Sequence, residues 1–471
     1  MTWDGTGFGS HAETSIEQPA TTWYLAEGST SGNFDLYYLL QNPNASAAQI
    51  TITFLRPSGG PVTKSYTVNP RSRRTINIDN ETGFTGRPGT ERTLGSTDVS
   101  ATITSTNGVP ILVERAMYMT VNGRVFAAGH DSAGVTAPQA SWFLAEGATG
   151  TFFDLFILLA NPTATPTTVE ITYLVSGGAP IVRQYGLPAQ SRRTVYVDSE
   201  PGLANVACSA IVRSLNAAVP IVVERAMWWP DGNWTEAHNS SGAIVTSPTW
   251  ALADGEVGGT FANQTYVLIA NTSAFAATAR VRAFFEDQGE PLDRTYTVPP
   301  NSRFNVDYNN TIAQGRRFSV LVEGTGPSPS QEPQLVVERA MYSNAGNTVW
   351  AAGTDALGTP IFPETPNPTF TVTPNGLFPK VLVVDDGVQI RIVNRDPDQT
   401  DTIDCVPGGH DISDDPHPTH GDSPEFGSGR LTLNQTRLTQ NLVTPGAFGV
   451  HDHCHGSDDR FKGRVIVRST P

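Results

Sequence analysis

Residues 451 to 461 read "HDHCHGSDDRF", which sets His451, His453, Cys454 and His455 within five positions, and the earlier stretch "GGHDISDDPHPTHGD" adds His410, His417 and His420. Imidazole suits both copper and zinc, and a thiolate is a further ligand for either. On an extended strand, residues two apart share a face, about 6.6–6.8 Å from one another. His451, His453 and His455 are therefore expected on one side, with Asp452 and Cys454 on the other. A His-x-His pair of this kind is a bidentate metal grip completed from elsewhere, and His410, His417 and His420 are the ligands on offer. Six of the nine histidines of the chain fall in this stretch. The competing reading is an acid-flanked, solvated loop that holds no metal. Cys405 and Cys454 form a disulfide, or Cys454 stays a thiolate; the spacing leaves both open.

The elements that position these residues begin after a proline-rich joint, "TPIFPETPNPTF", placed at 361–369. Within 370–471, "LFPKVLVVDDGVQIRIVNRD" reads as two strands around a "DDG" turn, "FGSGRLTL" as the start of another, and "LVTPGAFGVHDHC" with "FKGRVIV" as a final pair. Val384 to Asp396, Phe426 to Gly429 and Pro445 to Cys454 match in order the motifs of the cupredoxin family, which this region resembles. The resemblance implies a Greek-key β-sandwich, Cys454 at the copper-thiolate position and His410 (or, in another alignment, Asp401) at the first imidazole position. It departs from the family downstream, where Ser457, Asp458 and Asp459 occupy the stretch of the second histidine and Phe461 the place of the methionine. Copper or zinc on a strand-borne histidine face is the expectation, ahead of a blue-copper centre.

The rest of the chain is repetitive. "WYLAEGST" at Trp23 returns as "WFLAEGAT" at Trp142 and "WALADGEV" at Trp250, 119 and 108 residues apart. Each copy continues through "FDLYYLLQNPN", "FDLFILLANPT" or "QTYVLIANTS", then a "SRRT"-type strand, and closes on "VPILVERAMYM", "VPIVVERAMWW" or "PQLVVERAMYS". That period suits a β-sandwich better than a solenoid repeat. The fold class expected is therefore all-β: three tandem Ig-like β-sandwich repeats (23–138, 139–247, 248–360) and the cupredoxin-like Greek-key sandwich. Residues 1–22 align with the end of repeat 2 from Met227, and read as the tail of a truncated preceding repeat.

Alternation along the closing strand puts Ile111, Val113, Arg115 and Met117 on one side. An inward arginine needs a partner, and the acid of "LAEG" (Glu27, Glu146, Asp254) is the expected one for Arg115, Arg225 and Arg339. The "GHDSAG"-type ending, with His130 and His238, hints at hydrolase chemistry; its third copy has Thr354 and Ala356 instead, and no GxSxG elbow occurs. A packing turn is expected there, and no enzymatic activity.

The net charge of −15 and the lack of any dense basic cluster argue against nucleic acid as a partner. No apolar run reaches the length of a membrane span. The repeat signatures resemble uncharacterised tandem repeats of large secreted bacterial proteins, notably actinobacterial surface proteins. That resemblance implies an extracellular or cell-surface location. The expected function is structural or adhesive: a β-sandwich rod capped by a metal-binding domain, its partners protein surfaces including further copies of itself as a homo-oligomer or filament. The alternatives are a copper redox protein and a carbohydrate-binding one, in which Trp228, Trp229 and Trp234 offer faces to a polysaccharide.

Overall fold

A computed structural model describes residues 11, 16, 18–328, 331–361, 368–397, 409–414, 426–455 and 458–468. The chain divides into two compact units, Met1–Ile361 and Phe362–Pro471. The three repeats thus share one unit. Short Thr-, Val-, Ile- and aromatic-rich runs between turn residues form strands throughout. Among the described residues no helix is long and apolar enough to cross a membrane.

Repeat 1 has eight strands: β1 (Thr22–Leu25), β2 (Phe34–Asn42), β3 (Ala48–Leu55), β4 (Val62–Val68), β5 (Ser72–Asn77), β6 (Ser100–Ser105), β7 (Leu112–Val121) and β8 (Arg124–Ala133). They make two four-stranded antiparallel sheets, ordered β1-β6-β3-β4 and β5-β2-β7-β8. Repeat 2 duplicates both sheets, and repeat 3 adds Thr359–Ile361 beside Thr249–Leu252 at the edge of the first. Alternate residues of β2 and β3, such as Leu36, Tyr38, Ile50 and Ile52, fill the interior. Trp23, Trp142 and Trp250 are buried, and each indole N–H donates to the carbonyl of Ile111, Ile221 or Leu335 at the start of the closing strand. The "GHDSAG" segment is not a turn: it is strand β8, with counterparts Glu236–Ser241 and Ala352–Leu357, each paired to the closing strand.

Among its described residues the second unit also holds two four-stranded sheets. One orders Gly376–Phe378, Thr369–Thr373, Arg391–Asn394 and Thr436–Leu438; the other orders Val381–Asp385, Lys462–Arg468, Gly446–Asp452 and Ile412–Asp414. Thr369–Thr373 runs parallel to Arg391–Asn394, and Val381–Asp385 parallel to Lys462–Arg468. The final antiparallel pair forms as the sequence suggests. "FGSGRLTL" does not begin a regular strand; it makes isolated bridges, Gly427 to Ser413 and Leu431 to His410, before Thr436–Leu438. Phe370, Ile392, Phe426, Val450, Phe461 and Val465 build a core of this unit's own.

Candidate functional site

In the second unit three side chains converge: His410, Asp452 and His455. Asp452 is the last residue of the strand Gly446–Asp452, after which the chain tightens into a 3₁₀ turn, His453–His455. That turn breaks the strand geometry on which a continuous His451-His453-His455 face depends. One Asp452 oxygen, Oδ1, accepts the backbone N–H of Asp411 at 2.8 Å and of Cys454 at 3.2 Å. The other, Oδ2, lies 2.6 Å from Nδ1 of His410 and 2.6 Å from Nδ1 of His455. Those are charge-assisted hydrogen-bond distances. The acid thus ends the strand and clamps two imidazoles.

His410 is set by a two-way backbone bridge with Leu431, whose carbonyl also accepts from Asn394 Nδ2. Asp396, two residues after Asn394, brings an oxygen to 3.4 Å from His410 Nε2. Burial opposes a charge on His410, but the two flanking carboxylates prevail and raise its pKa to about 9. Burial likewise acts to raise the Asp452 carboxyl, yet the imidazole hydrogen bonds hold it down at about 2. The rings of His410, His455 and Phe461 stack on one another at 4.7 to 5.3 Å. Phe461 therefore covers the imidazoles as an aromatic face.

Of the residues singled out in the sequence, the fold brings His410 and His455 together. His451 is buried on the strand face opposite Asp452, and His453 is half-buried; neither is among the three converging side chains. Cys454 is disulfide-bonded, which corrects its reading as a ligand: a disulfide sulfur carries no thiolate charge to give a metal. His417, His420, Cys405 and Asp401 lie outside the described residues. The set of two imidazoles and one carboxylate is a donor set for zinc or copper(II), but it does not fit a type 1 copper centre, which needs the thiolate.

The repeat unit holds a second constellation, at the seams between repeats. Arg115 pairs with Glu27 at 2.8 Å, as the sequence suggests, and also with Glu224 of repeat 2 at 2.5 Å. Glu224 in addition accepts the backbone N–H of Ala26 at 2.7 Å. Glu338 of repeat 3 does the same one repeat on, accepting from Ala145 and Glu146 N–H and pairing with Arg225 at 3.3 Å. In each closing strand the arginine points into its own repeat, and in repeats 2 and 3 the preceding glutamate crosses to the repeat before. The first arginine of the "SRRT"-type strand also crosses: Arg192 pairs with Asp98 at 2.6 Å, and Arg303 donates to the carbonyls of Gly147 and Cys208 at 2.6 and 2.8 Å. The glycine of "LAEG" lets these two carbonyl-bearing segments lie close together, since a Cβ on Gly147 would lie 2.6 Å from the Cys208 carbonyl oxygen.

Two expectations are corrected at these seams. Arg225 forms its ion pairs with Glu338 and Asp355 rather than with Glu146. Beside Arg225 repeat 3 inserts the carboxyl of Asp355 where repeat 2 offers the amide of Asn239, whose oxygen, oriented to satisfy its neighbours, accepts from Arg115 at 2.7 Å. The tryptophans of repeat 2 are likewise not open platforms for sugar. Trp228 and Trp229 are buried, Trp228 edge-on to Phe34 at 5.1 Å, and half-buried Trp234 donates its indole N–H to Asp154 at 2.6 Å. Arg339 at the end of the array pairs with Asp254 at 2.7 Å, where Asp254 is 68% exposed.

Burial raises the Glu27 carboxyl to about 7, with Arg115 opposing and Glu224 adding to the rise. Burial also drives Asp355 well above, and Glu146 above, the usual carboxylate range. His130 and His238 are pushed far below theirs by burial beside Arg115 and Arg225, so both are neutral. Asp396 and Asp452, Glu224 and Glu338 are the site residues that sequence reasoning passed over. The signal for the glutamates was present, an acid in the same place of all three closing strands; Asp452 was placed with Cys454 on the face away from the histidines rather than among the ligands.

No family model and no curated protein matches the chain. Solved structures show partial likenesses. Thermotoga maritima 1070 is 16% identical at a TM-score of 0.21, over 25% of this chain and 96% of that one. The Anabaena sensory rhodopsin transducer is 20% identical at 0.17, over 20% and 96%. A mutant amicyanin in the Cu(I) state is 12% identical at 0.16, over 22% and 84%. At such scores these likenesses carry no argument about the site.

Proposed function

We propose that this chain is a structural or adhesive protein of the cell exterior, in which the repeats act as one continuous array and no turnover takes place. The observation that supports this most is the carboxylate of each later closing strand seated in the repeat before it, Glu224 on Arg115 and Glu338 on Arg225. Such seams make neighbouring repeats depend on each other for the pairing of buried charge. The exterior location rests on the resemblance of the repeat signatures to those of secreted bacterial proteins, and the disulfide at Cys454 suits an oxidising compartment. Scanning calorimetry of the full chain tests the array. One shared transition for the repeats, split into separate ones by Glu224→Ala or Glu338→Ala, is expected; independent melting of the unaltered repeats overturns the reading.

A second reading concerns the metal. His410, Asp452 and His455 would hold a zinc or copper(II) ion, which would replace the shared protons as the tie between the three side chains. The role proposed is stabilisation of the second unit rather than electron transfer. Elemental analysis of purified protein checks it, with stoichiometric metal lost in His455→Ala; protein that stays metal-free after dialysis against zinc or copper overturns it.

A further inference from the structure

The two seams inside the array are one interface used twice, so every repeat has a presenting end and a receiving end. The presenting end offers the closing-strand glutamate, the first arginine of the "SRRT"-type strand and two aromatics: Glu224, Arg192, Trp228 and Trp234 in repeat 2. The receiving end offers a backbone N–H, the inward arginine, a phenylalanine and a histidine: Ala26, Arg115, Phe34 and His130 in repeat 1. Trp228 meets both rings, at 5.1 Å from Phe34 and 5.2 Å from His130. Repeat 3 presents to repeat 2 in the same way, through Glu338, Arg303, Tyr342 and Trp350, with Tyr342 and Trp350 at 5.8 and 5.2 Å from Phe153.

Among the described residues, no repeat lies against the presenting end of repeat 1 or the receiving end of repeat 3, and the two are not alike. Repeat 1 keeps the whole presenting set. Glu114 and Arg73 stand exposed where Glu224 and Arg192 are buried. Tyr118 and Phe126 lie 4.8 Å apart beside them, and Phe126 has the positive φ, 55°, that Trp234 and Trp350 share at 47° and 48°. The receiving end of repeat 3 keeps the inward arginine, Arg339, but is altered at three other points. By strand register Asn263 replaces the phenylalanine, Thr354 the histidine, and Arg317 the Asp98 that takes Arg192 in repeat 1. An arginine presented there meets like charge.

A further observation falls on the presenting face. His11 lies 2.6 Å from Asp131. At the two internal seams the matching residues, Asn239 and Asp355, reach His130 at 3.2 Å and His238 at 3.6 Å, each in the repeat before. His11 therefore stands where the histidine of a receiving repeat stands.

We propose that the face of repeat 1 carrying Glu114, Arg73 and Phe126 is a docking face for the receiving end of a further repeat of the same type, so that the array extends on that side. The partner is a β-sandwich end that offers a buried arginine, an open N–H after a Trp-x-Leu strand, and a phenylalanine for Phe126. This rests on the array reading above and gives it a polarity.

The test places a copy of residues 23–116 directly ahead of Met1 in the full chain, so that the copied strand runs into residues 1–22 as Ala116 runs into Met117. Carbodiimide labelling of Glu114 is expected to fall at least tenfold in the extended protein. Glu114→Ala is expected to lower the melting point of the extended protein as Glu224→Ala lowers that of the original, while leaving the original unchanged. Equal labelling of Glu114 in both proteins, no gain in β-sheet circular dichroism from the added residues, or a neutral Glu114→Ala in the extended protein overturns the proposal. Self-association of the original chain that Glu114→Arg abolishes gives the face to a second copy, and overturns it too. A neutral Glu224→Ala in the original chain would instead defeat the array reading itself.

Discussion

The two units bury charge in opposite ways. At the repeat seams, acids outnumber the guanidinium between them: Glu27 and Glu224 share Arg115, while Glu338 and Asp355 share Arg225 with Glu146 nearby. In the second unit one carboxylate, Asp452, is shared by two imidazoles inside a single sandwich. The surplus acid of the seams raises the Glu27 carboxyl so that it takes up a proton more readily, whereas Asp452 and Asp396 together favour the charged form of His410. Surplus charge across a seam makes neighbours interdependent; within one sandwich it holds a loop and a strand end together.

The largest effect expected from breaking this contrast is at Arg115. Arg115→Met leaves Glu27 and Glu224 buried without a counter-charge, and should cost about 3–5 kcal/mol in urea denaturation. The same change at Arg339, whose partner Asp254 is mostly exposed, should cost about 1 kcal/mol or less. Equal losses at both positions would mean that the seam adds nothing to an ordinary ion pair.

The pH dependence of the two units should separate next. Glu27 rises from its ordinary 4.5 to about 7, so the folded repeats bind the extra proton; this contribution is complete below pH 4.5 and is lost as pH climbs through about 7. His410 rises from 6.5 to about 9, so its contribution is complete below 6.5 and lost as pH climbs through about 9. Each is worth up to about 3 kcal/mol. Calorimetry between pH 5 and 9, with chelator present, should show the repeat transition fall first and that of the second unit later; a common fall would erase the distinction.

A smaller effect, about 2 kcal/mol, is expected from Asp452→Asn, which keeps the shape but removes the charge that His410 and His455 share. Proton NMR should then show the His410 titration drop from about 9 towards its ordinary range. An unmoved His410 would place its shift on Asp396 alone.

Much of the fold was legible because its signals are local or periodic. The Trp-x-Leu and closing-strand repeats mark three sandwiches, and alternation in β7 puts Arg115 inside with Ile111 and Val113. The candidate metal residues were legible as a cluster but not as a geometry. A period of two holds only while the strand lasts, and the 3₁₀ turn at His453–His455 swings His455 to Asp452 and away from His451.

By itself, then, the sequence determined an all-β chain, its repeat period, the inward arginines and the histidine-rich end, since all of these follow from residue type and spacing along one strand. Only the tertiary structure decided which charge meets which. Glu224 and Arg115 are 109 positions apart, and Asp355, which pairs with Arg225 where Glu146 was expected, is 130 positions from it. A buried charge takes the partner that packing brings within hydrogen-bond reach, and that distance is set by how sheets and repeats stack, not by order along the chain.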